Sequence, residues 1–190
     1  MALISAKTII TSISLFHITL GFFFLTNPIT IADQAVVYVL GEAMGLPHVR
    51  SFESQSPALA FLAVILGIIG ISDLVTLSLP DDMPEQHWGM QAPLRLSLSF
   101  FLSIYTFFFS AASPIYTSTR RLGHPSAHAH PPPGYAPSSW GGDALKNRVF
   151  FTFMFVETIS WFWIWVTLQE ERRENAARKA KRRSSHSHIH

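Results

Sequence analysis

No cysteine occurs in the 190 residues, which excludes a disulfide framework, a thiolate metal site, a redox CxxC pair and a cysteine nucleophile. Charge is scarce as well. Asp, Glu, Lys and Arg make up 14% of the chain, against roughly a quarter in an average soluble domain. Arginine is absent before Arg50, and Lys7 is the only lysine in that stretch. This argues against a mitochondrial transit peptide, which is Arg-rich and amphipathic. There is no Asn-x-Ser/Thr acceptor, no phosphate-binding loop, no dinucleotide fingerprint and no His-Glu-x-x-His helix, so nothing in the motifs supports an enzyme.

What is present is apolar length. A helix needs about 20 mostly apolar residues to cross a hydrocarbon layer about 30 Å thick. Four windows meet that requirement: 8–26, 58–79, 94–113 and 149–168. Lipid leaves backbone groups no solvent partner, so these windows are read as helices. Pro28, Pro57, Pro80, Pro93 and Pro114 stand near their ends, where proline costs least. The expected fold is all-α: an integral membrane four-helix bundle. The first window lacks a clear cleavage site and is read as an uncleaved span.

Between spans one and two the pattern predicts a short amphipathic helix over 31–44. Thr30 is its expected cap, Val36, Val39, Leu40, Ala43 and Met44 its apolar face, and Gly45 and Pro47 its stop. The connection 114–147 is rich in Pro, Gly, Ser and His and is expected to be disordered. His124, His128 and His130 lie in it without a carboxylate or thiolate nearby, so no metal site is assigned there, and none is assigned to His186, His188 and His190. Asp81, Asp82 and Glu85 read as a solvated cap. Half of the 14 basic residues lie in the segment 169–190, which is expected to extend the last helix and to mark a cytoplasmic side. Four spans then put both termini in the cytoplasm. Arg120, Arg121, Lys146 and Arg148 in the third connection pull against that orientation.

The scarce polar residues inside the spans carry most of the information, because ionisable groups in lipid are costly and turn toward the bundle interior. Arg95, Ser99, Ser103, Thr106, Ser110 and Ser113 recur at steps of three or four and form one stripe on span three. That stripe is the expected helix–helix interface, with hydroxyls bonding across it. Ala63, Gly67 and Gly70 form a small-residue stripe on span two with the same purpose. Asp73 and Arg95 lie toward the same end of a hairpin and are expected to pair. Glu157 and His17 sit at the midpoints of spans four and one, and a hydrogen bond between them is expected if those helices touch. Packing glue, a proton-coupled site and a polar anchor for a lipid or sterol headgroup are all open readings of that pair. Trp161, Trp163 and Trp165 read as an interface belt.

Leu40, Gly41, Glu42, Ala43, Met44, Gly45, Leu46 and Pro47 (LGEAMGLP) resemble a motif of the fungal family named for increased loss of mitochondrial DNA. Ser72–Val75 (SDLV), Ala92–Arg95 (APLR), Phe155–Glu157 (FVE) and Glu170–Arg172 (EER) follow in the family's order. The resemblance implies a multi-pass protein of the endoplasmic reticulum membrane, with an indirect effect on mitochondrial DNA. It implies no catalytic residues and no cofactor. The expected partners are membrane lipids and a membrane protein, not nucleic acid. The leading expectation is a non-catalytic accessory or scaffold protein in lipid or organelle homeostasis. A small carrier or lipid-binding protein using Glu157, His17, Asp73 and Arg95 stands as one alternative, and an oligomeric ion channel as another.

Overall fold

The computed structural model describes residues 4–80, 82–110 and 141–187. Among these, all regular structure is helical. The elements in order are α1 (Ala6–Thr26), α2 (Ile29–Ala32), α3 (Ala35–Ala43), a 3-10 turn at Arg50–Phe52, α4 (Pro57–Leu77), α5 (Asp82–Phe108), a 3-10 turn at Gly141–Leu145 and α6 (Arg148–Ser187). Helix α1 packs along α4, α5 along α6, and α3 and α1 both touch α6. Among the described residues three helices are long and apolar enough to cross a membrane, namely α1, α4 and α6. Helix α5 falls short of that measure because Gln91, Arg95 and a series of hydroxyls dilute its apolar content.

Local chemistry sets the ends. Ser5 caps α1 by accepting the Thr8 N–H, and Ser56 caps α4 by accepting the Leu59 N–H, with Pro57 following in the first turn. At the far end of α1 the Gln55 amide donates to the carbonyls of Thr26 (2.9 Å) and Leu25 (3.3 Å), satisfying acceptors that the helix leaves open. Asn147 caps α6 by accepting the Phe150 N–H at 2.9 Å.

Several elements depart from the sequence reading. The predicted helix 31–44 is broken in two. Asp33 ends α2, and Gln34 is extended (φ −61°, ψ 134°) before α3 begins. The break rotates the apolar face, so Val37 and Gly41 are buried while Val36 and Val39 are exposed. Thr30 lies inside α2 rather than capping it. Pro93 is not a helix end but lies inside α5, which starts at Asp82, well before the apolar window opens. A proline there removes one intrahelical donor, and the helix continues through it. The last helix runs 40 residues in one piece. Part of the connection expected to be disordered, residues 141–147, forms the 3-10 turn and cap just described. The rest of it lies outside the described residues, with Ser113 and the three loop histidines.

The LGEAMGLP segment is a helix terminator with a docking function. Met44 closes α3, and Gly45 takes a left-handed φ of 62°, which a Cβ disfavours. The Leu46 N–H donates to the Gly41 carbonyl at 2.8 Å and the Gly45 N–H to that of Glu42 at 3.1 Å. That pair of bonds is a Schellman motif. It turns Leu46 into the interior and presents the Pro47 carbonyl to the N–H of Arg148 at 3.3 Å. Gly41 lies flat against Arg148, since a Cβ there would meet the Arg148 Cβ at 2.6 Å. Leu40 and Met44 are half-buried, while Glu42, Ala43 and Pro47 face outward. The motif therefore ends one short helix and seats it on the start of α6.

Close backbone approach joins α1 to α4. A Cβ at Gly21 would lie 2.7 Å from the Ala63 carbonyl oxygen and 3.4 Å from the Gly67 nitrogen, and one at Gly70 would lie 2.6 Å from the Ser14 oxygen. In lipid, packing of this kind is a main source of helix association, because apolar burial drives it little. The small-residue stripe works as expected at Ala63 and Gly70, whereas Gly67 offers its backbone and has open space at its own Cβ position. Gly70→Leu should cost about 2 kcal/mol and lower the unfolding temperature in detergent, whereas Gly67→Ala should be neutral or slightly stabilising. Equal losses from both would show that this interface is looser than described.

Candidate functional site

Four helices contribute to one connected set of polar and aromatic side chains. It begins with Asp73 of α4, which is buried, and Arg95 of α5. The guanidinium donates from both terminal nitrogens, at 2.7 Å to Asp73 Oδ2 and 2.9 Å to Oδ1. A fork of two parallel bonds is the geometry only arginine offers a carboxylate. The same guanidinium lies over two indoles, 4.8 Å from the Trp161 ring and 5.6 Å from the Trp88 ring. These rings stack on each other at 5.9 Å with an interplanar angle of 20°. The negative ring faces partly replace the water that Arg95 gives up.

Trp161 carries the set onward. Its indole N–H donates to Glu157 Oε2 at 2.7 Å, one helical turn back on α6. The other oxygen, Oε1, lies 2.7 Å from His17 Nε2 on α1. Glu157 and His17 are both buried, and the imidazole ring lies near the rings of Phe16 (6.2 Å) and Phe153 (5.9 Å), tilted against both. Both oxygens of Glu157 are thus engaged. His17 Nδ1 and Trp88 Nε1 are buried with no hydrogen-bond partner among the described residues.

The predicted pairs, Asp73 with Arg95 and Glu157 with His17, are both in contact. What the sequence reading lacked is the joint between them. Trp161 is wholly buried and Trp88 nearly so, so Trp161 is not part of an interface belt. Trp163 and Trp165 do face outward. Spacing held the missing signal. Trp161 stands four residues after Glu157, and Trp88 stands seven before Arg95, so each shares a helix face with its partner.

The hydroxyl stripe of α5 turns inward as expected, with Ser99, Thr106 and Ser110 buried and Ser103 half-buried. Its bonding differs from the expectation. Ser103 donates to the Ser99 carbonyl at 2.9 Å, and Thr106 to the carbonyls of Leu102 and Ser103 at 3.0 and 2.9 Å. Ser99 donates to Leu96 at 3.1 Å. Across the helices, Ser103 lies 3.5 Å from the Thr158 hydroxyl. Hydroxyls satisfied by their own helix leave the interface small and non-polar in effect, so they act by size more than by bonding.

The Glu170–Arg172 segment forms a second joint, one turn beyond the apolar part of α6. Glu171 Oε1 accepts the Ala6 N–H at 3.0 Å, placing a carboxylate at the positive end of α1. Arg172 lies across Gly89, where a Cβ would be 1.7 Å from its Nη2. Among the described residues no group of three or more His, Asp or Glu side chains is placed to hold a metal ion. Chemically, the connected set can hold unlike charges in an apolar setting and pin α1, α4, α5 and α6 to one another.

A family model described as Ilm1, increased loss of mitochondrial DNA protein 1, matches residues 4–178. No curated protein matches the chain, and no solved structure does.

Removing one partner of a buried ion pair leaves an uncompensated charge. Asp73→Asn should therefore destabilise by about 3 kcal/mol, the low end of the usual range, because the Arg95 side chain is 27% exposed. The charge swap Asp73→Arg with Arg95→Asp should recover only part of that loss, since it sets a carboxylate against two indole faces. Thermal unfolding of the purified variants measures both. Full recovery in the swap would show that the indoles add nothing to the pair.

Proposed function

The chain belongs to the Ilm1 family, increased loss of mitochondrial DNA protein 1, and on that premise we propose that it is a non-catalytic, multi-pass scaffold of the endoplasmic reticulum membrane. In this reading α5 is a fourth span. Its Leu94, Leu98, Phe100, Phe101 and Phe108 are exposed and face lipid, and Arg95, the one formal charge in its apolar run, is neutralised by Asp73. Both termini lie in the cytoplasm, following the basic residues after Leu168. The protein holds a membrane protein partner and so acts on lipid or organelle homeostasis, and mitochondrial DNA is affected indirectly.

One observation carries this reading. Asp73, Arg95, Glu157 and His17, which stand within the apolar runs, are each bonded to another side chain of the same protein. Groups bound to one another in this way maintain architecture. Passing an ion or a proton through them would require these bonds to exchange partners. The carrier or lipid-binding alternative draws on the two nitrogens of the set that are buried without a partner among the described residues, His17 Nδ1 and Trp88 Nε1.

Glu157→Gln separates the two. Glutamine keeps the shape and can still accept from Trp161 and bond His17, but it carries no charge. The scaffold reading expects normal abundance, normal mitochondrial DNA retention in cells and recovery of the same protein partner in a gentle-detergent pulldown. Glu157→Ala should lose abundance by severalfold, since it orphans two buried groups. A Glu157→Gln variant that is normally abundant but loses mitochondrial DNA would overturn the scaffold reading in favour of proton or ligand chemistry.

A further inference from the structure

Helix α6 continues without a break from the apolar run 148–168 to Ser187. Its outer part is held at the base by Glu171 on the Ala6 N–H and by Arg172 across Gly89. It is supported further out by the Glu174–Arg178 pair at 3.8 Å, one turn apart. Alanines at 176, 177 and 180 are strong helix formers, and basic residues near a helix C-terminus complement its dipole. The outer part therefore continues the direction of the apolar run.

Charge along it is segregated. Residues 169–175 hold Glu170, Glu171 and Glu174 against Arg172 and Arg173, a net charge of −1. Residues 176–187 hold Arg178, Lys179, Lys181, Arg182 and Arg183 and no acid, a net charge of +5. At about 1.5 Å per residue, Arg178 and Arg183 stand ~15 and ~22 Å beyond Leu168. A headgroup layer takes up about 5–7 Å of that. The positive tip is then held ~8–17 Å above its own membrane surface, one to two Debye lengths at physiological salt. A tilt of about 20° shortens this by under about a tenth. Nearer that surface the net charge is negative.

We infer that the outer part of α6 is a rigid arm whose basic tip binds a second anionic lipid surface, facing the membrane in which the protein sits. The lack of side-chain anchors favours lipid as the partner class. From 174 to 187 the only apolar residues are alanines, whereas protein interfaces turn on buried aromatic or large anchors and single-stranded nucleic acid on aromatic stacking. A diffuse sheet of anionic headgroups needs neither. Of the preceding reading, the inference uses only that 148–168 spans a bilayer.

The test uses the full chain in liposomes with the arm outside, assayed for capture of fluorescent phosphatidylserine vesicles. Wild type should capture these vesicles from neutral and from anionic host liposomes alike, and should not capture phosphatidylcholine vesicles. Changing the five tip cations to Gln should reduce capture about tenfold or more. A hinge at the base (Asn175→Pro with Ala176→Gly) should leave capture intact from neutral hosts and abolish it from anionic ones, because the freed tip settles on its own surface. The inference is overturned if wild type on anionic hosts captures nothing, or if the hinge has no effect there. It is also overturned if polyuridylate or polyglutamate displaces the vesicles at lower anion concentration than phosphatidylserine. Protection of a tag on the arm in sealed reticulum vesicles would instead overturn only the proposed orientation and leave capture standing.

Discussion

Arg95 sets the terms for the rest of the molecule. A guanidinium placed among apolar helices needs a counter-ion, bonded donors and something to stand in for lost water. Asp73 supplies the first two through the double hydrogen bond, and the stacked Trp88 and Trp161 supply the third. Meeting those needs ties α4, α5 and α6 to one place and one register. Trp161 then passes the constraint to Glu157, and Glu157 to His17 on α1. A single costly group thus organises four helices.

Apolar burial cannot play that part here. A helix side chain leaving lipid for a neighbouring helix gains little hydrophobic energy, so association depends on close packing and on polar contacts. The two kinds are divided between the helix pairs. Helices α1 and α4 meet through Gly21, Ala63 and Gly70 at backbone distance, and α5 meets α6 through a hydroxyl stripe that bonds its own carbonyls. The connected polar set joins one pair to the other. Two apolar clusters flank it along the helices, one around Ile10, Trp88 and Leu168 and the other around Phe24, Val37 and Leu66.

The family segments take on physical roles in this frame. LGEAMGLP stops α3 and seats it on α6 through Gly41 and Pro47. SDLV and APLR bring Asp73 and Arg95, FVE brings Glu157, and EER brings the carboxylate that caps α1. Each one either ends a helix or fastens it to another. That division of labour makes the family segments the fastenings of the helix assembly.

Sequence alone was enough for the helical class, for the positions of the apolar runs and for the four ionisable groups that had to find partners in them. Length, apolar composition and the cost of bare charge in lipid are local quantities, readable from residue order. It was also enough for Asp73 with Arg95, because a short hairpin confines that search. The tertiary structure alone decided the break at Asp33–Gln34, the continuation of α5 through Pro93 and the burial of Trp161. Each of these depends on which helix lies alongside, and neighbours are not encoded in periodicity. The indole that joins the two bonded side-chain pairs could be placed on the face of Glu157 from spacing, but its second contact, with Arg95 on another helix, exists only once the helices are packed.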